Sequence, residues 1–232
     1  MWHAPAVDDD PSTEHPGTDD GRVSATAVAA VLLAVIALAL VGTRLVALDD
    51  EPSLAVVGDS ITVVSSGVLA EQLGPDHDVD MAAALGVTVE QMQDEATTLA
   101  TREPVQAVIE LGSNDVLQDV PLATSTAQLE QMVSTFRDAG TRCVHVVNVS
   151  TVMQRNDGRW TGESAERFNA MSAALAASDD AVVIVDWNGA VVAAEERGES
   201  LVTDTVHPNG AGAQALATLV AESLDRGCPG AS

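Results

Sequence analysis

Three residues of this sequence have the side chains that nucleophilic catalysis requires: Ser60, Asp204 and His207. A serine hydroxyl is a weak nucleophile until a base removes its proton, and an imidazole that titrates near neutral pH can be that base. An aspartate three residues before the histidine can hold the other ring nitrogen and stabilise the imidazolium. Each residue also has an ordinary explanation, because Ser60 could be a helix N-cap and Asp-x-x-His pairs occur on many surfaces. The chemistry therefore depends on whether the fold brings the three side chains together.

An acyl-transfer site also needs hydrogen-bond donors for the oxyanion of its tetrahedral intermediate. The sequence offers three, namely the backbone N–H groups of Ser60 and Gly86 and the side-chain amide of Asn114. A glycine at position 86 leaves its amide open to a substrate, although it could equally be a turn glycine. Asp186 is an alternative partner for the histidine, but its position before Trp187 suits a structural or pocket-shaping role better.

The elements that must position these residues are five apolar, β-branched segments that alternate with segments of helical periodicity. The predicted strands are 54–57, 79–83, 105–111, 142–149 and 182–185, and the predicted helices are 61–73, 88–101, 123–139, 163–177, 189–196 and 209–226. This alternation predicts an α/β fold with a parallel sheet between two layers of helices. Ligands bind at the carboxyl ends of the strands in such sheets. Because Ser60, Gly86, Asn114 and His207 each follow a predicted strand, we expect them to converge on one rim.

Composition divides the chain into an N-terminal appendage and one domain. The 232 residues include 35 acids and ten basic residues, all arginine, and the net charge of −25 argues against nucleic acid as a partner. Residues 1–22 are acidic and lack an apolar period, so we predict a disordered tail. Residues 23–43 carry no charge and are long enough to cross a membrane, which predicts a transmembrane signal anchor over 23–46. A linker (47–52) and the catalytic domain (53–229) follow.

A cleaved signal peptide is the alternative for this apolar segment, and it would have a basic start and a shorter apolar region. Orientation is undecided by charge, because Arg22 and Arg44 flank the segment symmetrically.

Four short blocks resemble those of the SGNH (GDSL-type) hydrolases. In chain order they are Gly58-Asp59-Ser60-Ile61, Gly86, Gly112-x-Asn114-Asp115 and Asp204-x-x-His207. The resemblance covers residues 53–229, and its one small departure is Ile61, where many members have leucine. It implies a flavodoxin-like three-layer α/β/α sandwich with a five-stranded sheet. It also implies a catalytic quartet without metal or cofactor, consisting of Ser60, Gly86, Asn114 and His207, with Asp204 as the triad acid.

The segment Val185-Asp186-Trp187, the loop that carries Trp160 and the His207-Pro208 pair further resemble SGNH domains appended to bacterial membrane acyltransferases. This resemblance implies an extracytoplasmic domain that acts on acylated envelope glycans.

We therefore expect a membrane-anchored serine esterase that cleaves a small O-acyl ester through an acyl-Ser60 intermediate. An O-acyltransferase that uses the same site and a non-catalytic glycan-binding module are the alternatives. Asp115, Trp160 and Trp187 are candidates for the substrate pocket, and the two tryptophans are the candidate sugar platforms. The sequence does not define an oligomeric state.

The predicted topology also brings two cysteines to one end of the domain. Cys143 opens the fourth strand, and the last helix runs from His207 at the rim back towards Cys228. We predict a disulfide between them, which would place the domain outside the reducing cytosol. Two unpaired thiols are the alternative.

Overall fold

The computed structural model describes residues 53–230. The predicted acidic tail, membrane span and linker lie outside these residues. Within the described range, no helix is both long and apolar enough to cross a membrane.

Strands and helices alternate along the described part of the chain. The strands are β1 (Ser53–Gly58), β2 (Asp78–Ala83), β3 (Gln106–Glu110), β4 (Cys143–Val147) and β5 (Val182–Val185). The α-helices are α1 (Ser60–Leu73), α2 (Gln93–Ala100), α3 (Ser113–Leu117), α4 (Leu122–Asp138), α5 (Gly162–Ser178), α6 (Trp187–Glu196) and α7 (Gly210–Arg226), and a 3₁₀ turn covers Glu90–Met92.

The five strands form one parallel sheet in the order β2-β1-β3-β4-β5. The chain leaves β1 for β2 at one edge and then returns to β3 on the other side of β1. This reversal is a topological switch point, where the loops after two adjacent strands diverge and leave a crevice. The loops after β1 and β3 carry Ser60 and Asn114, so the topology alone places both at the crevice.

Helices cover both faces of the sheet. Val57 of β1 belongs to the core under α2, α4 and α5, together with Phe136. Its neighbour Val56 faces the other way and belongs to the core under α1, α6 and α7, together with Leu216. Strands that are buried on both faces have continuous apolar runs, which is why their sequences do not alternate between apolar and polar residues. The α/β prediction with a five-stranded parallel sheet is confirmed.

Two local predictions were wrong. The predicted helix over 88–101 is divided, because the 3₁₀ turn precedes α2. The segment after β3, for which no helix was predicted, forms the short helix α3. Gly112 makes this abrupt start possible, since its φ is 113° and an added Cβ would lie 2.3 Å from the Cζ atom of Phe168. A helix of five residues is too short to have a visible apolar period.

A disulfide joins Cys143 and Cys228, whose Cα atoms are 5.4 Å apart. It connects the first residue of β4 to the segment after α7, at the end of the sheet opposite the crevice.

Candidate active site

Ser60 is placed by the turn between β1 and α1. It is the first residue of α1 and only 6% exposed, and the preceding Asp59 caps the helix by accepting a hydrogen bond from the Ile61 N–H at 2.9 Å. The N–H groups of Thr62 and Val63 are also bonded, to a Glu110 carboxylate oxygen and to the Asp59 carbonyl. The Ser60 N–H lies at the positive end of the same helix, where the first N–H groups have no partner within the helix and favour negative charge.

The structure brings Ser60, His207 and Asp204 into one chain of hydrogen bonds. The Ser60 Oγ lies 2.9 Å from His207 Nε2, and His207 Nδ1 lies 2.8 Å from Asp204 Oδ2. An ionised carboxylate can only accept, so Nδ1 carries the proton and Nε2 is free to accept from the serine hydroxyl. This is the arrangement in which a serine can be deprotonated as it attacks.

The loop that carries the histidine is held in place at both ends. The Thr203 N–H donates to the His207 carbonyl at 2.8 Å, and the Asn209 N–H donates to the Leu201 carbonyl at 2.9 Å. Asn209 then caps α7, since its side chain accepts from the Gly212 N–H. These backbone bonds and this cap hold the loop that carries His207 in one conformation next to the start of α1.

Asp204 is held in its ionised form. Its partial burial acts in the opposite direction, but hydrogen bonds from the His207 backbone and ring, and from the Val206 N–H, keep the pKa of Asp204 below its ordinary value. A carboxylate that stays charged can stabilise the imidazolium that forms when His207 takes a proton.

The three expected oxyanion donors line one cleft with the triad. This catalytic cleft has a volume of about 650 Å³ and is lined by Ser60, Leu85, Gly86, Asn114, Leu117, Gln118, Gln154, Arg155, Asn156, Asp204, Thr205, Val206 and His207. Gly86 has a φ of 71° and no atom near the position of an added Cβ, so its backbone is open to a ligand. Its carbonyl accepts a hydrogen bond from the Gln118 side chain at 3.0 Å, which connects the loop after β2 to the end of α3.

Asn114 is oriented by a buried carboxylate that our sequence analysis did not single out. Its Nδ2 donates to Asp59 Oδ2 at 3.0 Å, and Asp59 is fully buried beneath Ser60. The signal in the sequence was a charged residue between the apolar end of β1 and the serine. Asp59 therefore has two tasks: one oxygen caps the helix that carries the serine, and the other fixes the amide of Asn114.

A second buried carboxyl, Glu110, lies next to Asp59. Burial raises the pKa of Asp59 to about 6, and burial together with the charge of Asp59 raises the pKa of Glu110 well above its ordinary value. Glu110 accepts hydrogen bonds from the Thr62 N–H at 3.1 Å and the Thr62 hydroxyl at 2.9 Å. Two neighbouring carboxyls out of water disfavour a second negative charge, so the buried pair resists losing both of its protons. The signal in the sequence for this buried carboxyl was a single acidic residue at the end of the apolar segment β3.

Arg155 completes one wall of the catalytic cleft. Its guanidinium pairs with Asp119 and donates to the Val116 carbonyl at 2.7 Å, which connects the segment after β4 to the end of α3. Nothing in the sequence distinguished this arginine from other polar loop residues.

Four sequence candidates lie outside the catalytic cleft, and three of them have structural roles. Asp115 is buried, and its oxygens accept from the Val89 N–H at 3.0 Å and the Ser125 hydroxyl at 2.9 Å, so it braces α3. Trp187 is 1% exposed in the core beneath α6, so its prediction as a sugar platform was wrong. Asp186 caps α6 through the Gly189 N–H and does not contact His207.

Trp160 is exposed and lines a different cleft. Among residues 53–230, no cluster of three or more His, Cys, Asp or Glu side chains is arranged to hold a metal ion.

The sequence model of the GDSL-like lipase/acylhydrolase family matches residues 56–215. A comparison with curated proteins gives no match.

Several solved structures share the fold at low sequence identity. A GDSL-like lipase from Bacteroides thetaiotaomicron superimposes with a TM-score of 0.67 and 17% identity, over 76% of this chain and 89% of that one. An acetyl xylan esterase gives 0.63 and 14%, over 72% and 97%. The C-terminal catalytic domain of peptidoglycan O-acetyltransferase A from Streptococcus pneumoniae gives 0.58 and 19%, over 75% and 93%.

Proposed function

Because the chain belongs to the GDSL-like lipase/acylhydrolase family, we propose that it is a serine esterase that hydrolyses a small O-acyl ester through an acyl-Ser60 intermediate. The observation that carries this proposal is the unbroken chain of hydrogen bonds from Ser60 Oγ through His207 to Asp204, at 2.9 and 2.8 Å. A module that only binds glycans has no need of this chain, which disfavours the non-catalytic alternative.

In the first half of the reaction, Ser60 Oγ attacks the ester carbonyl carbon and its proton moves to His207 Nε2. The carbonyl electrons move to the oxygen, and the oxyanion accepts hydrogen bonds from the N–H groups of Ser60 and Gly86 and the amide of Asn114. When the intermediate collapses, the ester C–O bond breaks and His207 returns its proton to the leaving alcohol oxygen.

In the second half, a water molecule enters the place of the alcohol and attacks the acyl-enzyme. His207 takes a proton from the water, and the acid leaves as the proton returns to Ser60 Oγ. The balance is one ester and one water converted to one acid and one alcohol, with no other reactant.

An active-site probe and matched variants test this proposal. A fluorophosphonate should label Ser60 at neutral pH, and Ser60→Ala and His207→Ala should each abolish labelling. Both variants should lower p-nitrophenyl acetate turnover by about 10³-fold or more, and the double variant should be no worse than either single one. Ser66→Ala is the control, because this serine of α1 donates to the Val63 carbonyl and does not line the catalytic cleft. Equal labelling of wild type and Ser60→Ala would refute the assignment.

An acyltransferase is the second candidate, and it differs only in what attacks the acyl-enzyme. A sugar hydroxyl takes the place of water, and the catalytic cleft is open enough for either. The likeness to an O-acetyltransferase domain supports this candidate, because the same fold carries an acetyl transfer in that protein. Supplying an oligosaccharide acceptor and measuring transferred acetyl against free acetate discriminates the two.

The proposal includes attachment to a membrane through residues 23–43, with the catalytic domain outside the cytosol. Its support is the uncharged length of that segment and the Cys143–Cys228 disulfide, since structural disulfides are typical of proteins outside reducing compartments.

A further inference from the structure

A second cleft adjoins the catalytic cleft. It has a volume of about 420 Å³, and its lining includes Thr151, Trp160, Glu195, Ser200, Thr203 and Thr205. Thr205 lines both clefts, and it lies in the loop between Asp204 and His207. Thr205 therefore forms the boundary between the second cleft and the catalytic cleft.

Trp160 is an exception among the aromatic side chains of residues 53–230. Phe136, Phe168 and Trp187 are each at most 1% exposed, whereas Trp160 is 65% exposed. An indole has a large apolar face and a polar N–H, so an exposed tryptophan that lines a cleft is suited to contact a ligand with both apolar and polar groups. The surrounding side chains are mainly hydroxyl-bearing, with one carboxylate.

One hairpin holds Trp160 at this position and also forms a wall of the catalytic cleft. Gln154 and Trp160 pair across the hairpin, and Gln154 and Arg155 line the catalytic cleft on its other side. The Gln154 N–H donates to the Thr205 hydroxyl at 3.0 Å, which ties the hairpin to the triad loop. Thr205 has a φ of 69°, an unusual conformation for a β-branched residue, so the loop is held there against its local preference.

We propose that the second cleft is a subsite for a sugar unit of the substrate, with one face of the sugar stacked on Trp160 while its ester is attacked in the catalytic cleft. The inference rests on the proposed esterase function and names its substrate as an acylated oligosaccharide. A pyranose presents C–H groups on its faces and hydroxyls at its edge. An indole beside the hydroxyl of Thr203 and the carboxylate of Glu195 matches both sets.

The charge of the protein restricts the glycan. The net charge is −25, and the carboxylates of Glu195 and Asp204 border the two clefts. An anionic polymer would be repelled at long range, so the structure favours a neutral glycan.

The test compares esters that fill one cleft or both. p-Nitrophenyl acetate fits the catalytic cleft alone, whereas O-acetylated xylotetraose and O-acetylated N,N′,N″,N‴-tetraacetylchitotetraose, two neutral glycans, can extend into the second cleft. For at least one tetrasaccharide ester, Trp160→Ala should raise the KM about tenfold relative to the KM for p-nitrophenyl acetate. A tenfold change corresponds to about 1.4 kcal/mol in binding. The kcat for that ester should change by less than twofold, and Trp160→Phe should restore most of the affinity.

A matched control and a second readout separate this inference from the proposed function. Val64→Ala removes another exposed apolar side chain, 50% exposed on α1 and outside both clefts, and should change neither KM. Titrating the unacetylated tetrasaccharides into Ser60→Ala should shift the tryptophan emission, and the shift should disappear in Ser60→Ala/Trp160→Ala. This readout needs no turnover, so it can succeed even if the esterase proposal fails. Unchanged KM ratios for both glycans, or an equal emission shift without Trp160, would overturn the subsite.

Discussion

The sharpest test of the site is the substitution Asp59→Asn, which changes one buried oxygen to an NH₂ group and leaves the shape of the side chain unchanged. In the wild type, one hydrogen of the Asn114 amide is donated to Asp59 Oδ2 at 3.0 Å, and the other is available to the oxyanion. The other Asp59 oxygen caps α1 through the Ile61 N–H at 2.9 Å. An asparagine keeps this cap with its single carbonyl oxygen, and its NH₂ group then faces the NH₂ group of Asn114.

Two donors in contact repel each other, so Asn114 must rotate and the oxyanion hole loses a donor. Removing one such donor lowers kcat by about 10²–10³-fold, equivalent to about 2.7–4 kcal/mol. We expect Asp59→Asn to reach this loss although Asp59 does not contact substrate. Asn114→Ala removes the same donor directly, so the double variant should be no slower than Asn114→Ala alone.

The assay is steady-state hydrolysis of p-nitrophenyl acetate, with the concentration of folded sites fixed by fluorophosphonate labelling. Asp186→Asn is the matched control, because it makes the same change to another helix-capping aspartate that accepts from an asparagine side chain, Asn148, outside the catalytic cleft. Its kcat per labelled site should stay within about threefold of wild type. Losses that multiply in the double variant, or wild-type kcat in Asp59→Asn, would show that Asp59 does not position Asn114.

Three further predictions concern stability and location. Burial and the charge of Asp59 raise the pKa of Glu110 above its ordinary 4.5. Above pH 4.5 the folded state therefore binds more protons than the unfolded state, so the free energy of unfolding should fall as the pH rises. Glu110→Gln should reduce this fall in urea unfolding between about pH 5 and pH 8, and parallel curves would contradict it. Reducing the Cys143–Cys228 disulfide, with its separation of 85 residues, should lower the unfolding free energy by about 4–5 kcal/mol, measured in urea with and without dithiothreitol, and an unchanged midpoint would argue against it. Deleting residues 23–43 should release the protein from carbonate-washed membranes, whereas retention there would place the anchor elsewhere.

The fold and the meeting of the triad could be predicted because both follow from strand order. Buried parallel strands require long apolar, β-branched runs, and helices between them require a longer period, so the two patterns are distinct in the sequence. Parallel connections then place every strand's carboxyl end on one rim, where Ser60 follows β1. His207 lies beyond α6, in the loop that leads into α7, and it meets Ser60 on that rim across 147 residues of sequence. No side-chain detail was needed for that step.

The supporting carboxylates were harder to predict, because a charged residue in a loop or at a strand end is usually solvated. Asp59 and Glu110 are buried only because α1 folds back over the carboxyl ends of β1 and β3, where Gly58 pairs with Glu110. Which oxygen meets Asn114 depends on that register, and register is a property of the assembled sheet. Asp115 was predicted to line the substrate pocket because it follows Asn114 in sequence. In the structure it points to the Val89 N–H and not to the catalytic cleft.

The two tryptophans mark the limit of reasoning from residue type. Both Trp160 and Trp187 were equal candidates for a sugar platform, yet the signal that separates them was present in the sequence. Trp187, Val191 and Ala194 follow the spacing of one helical face and are all buried in α6. Trp160 lies between Arg159 and Thr161, where no apolar period includes it, and it is exposed. An aromatic residue that belongs to no apolar period has no core to enter, so the surrounding pattern predicts its exposure better than its residue type does.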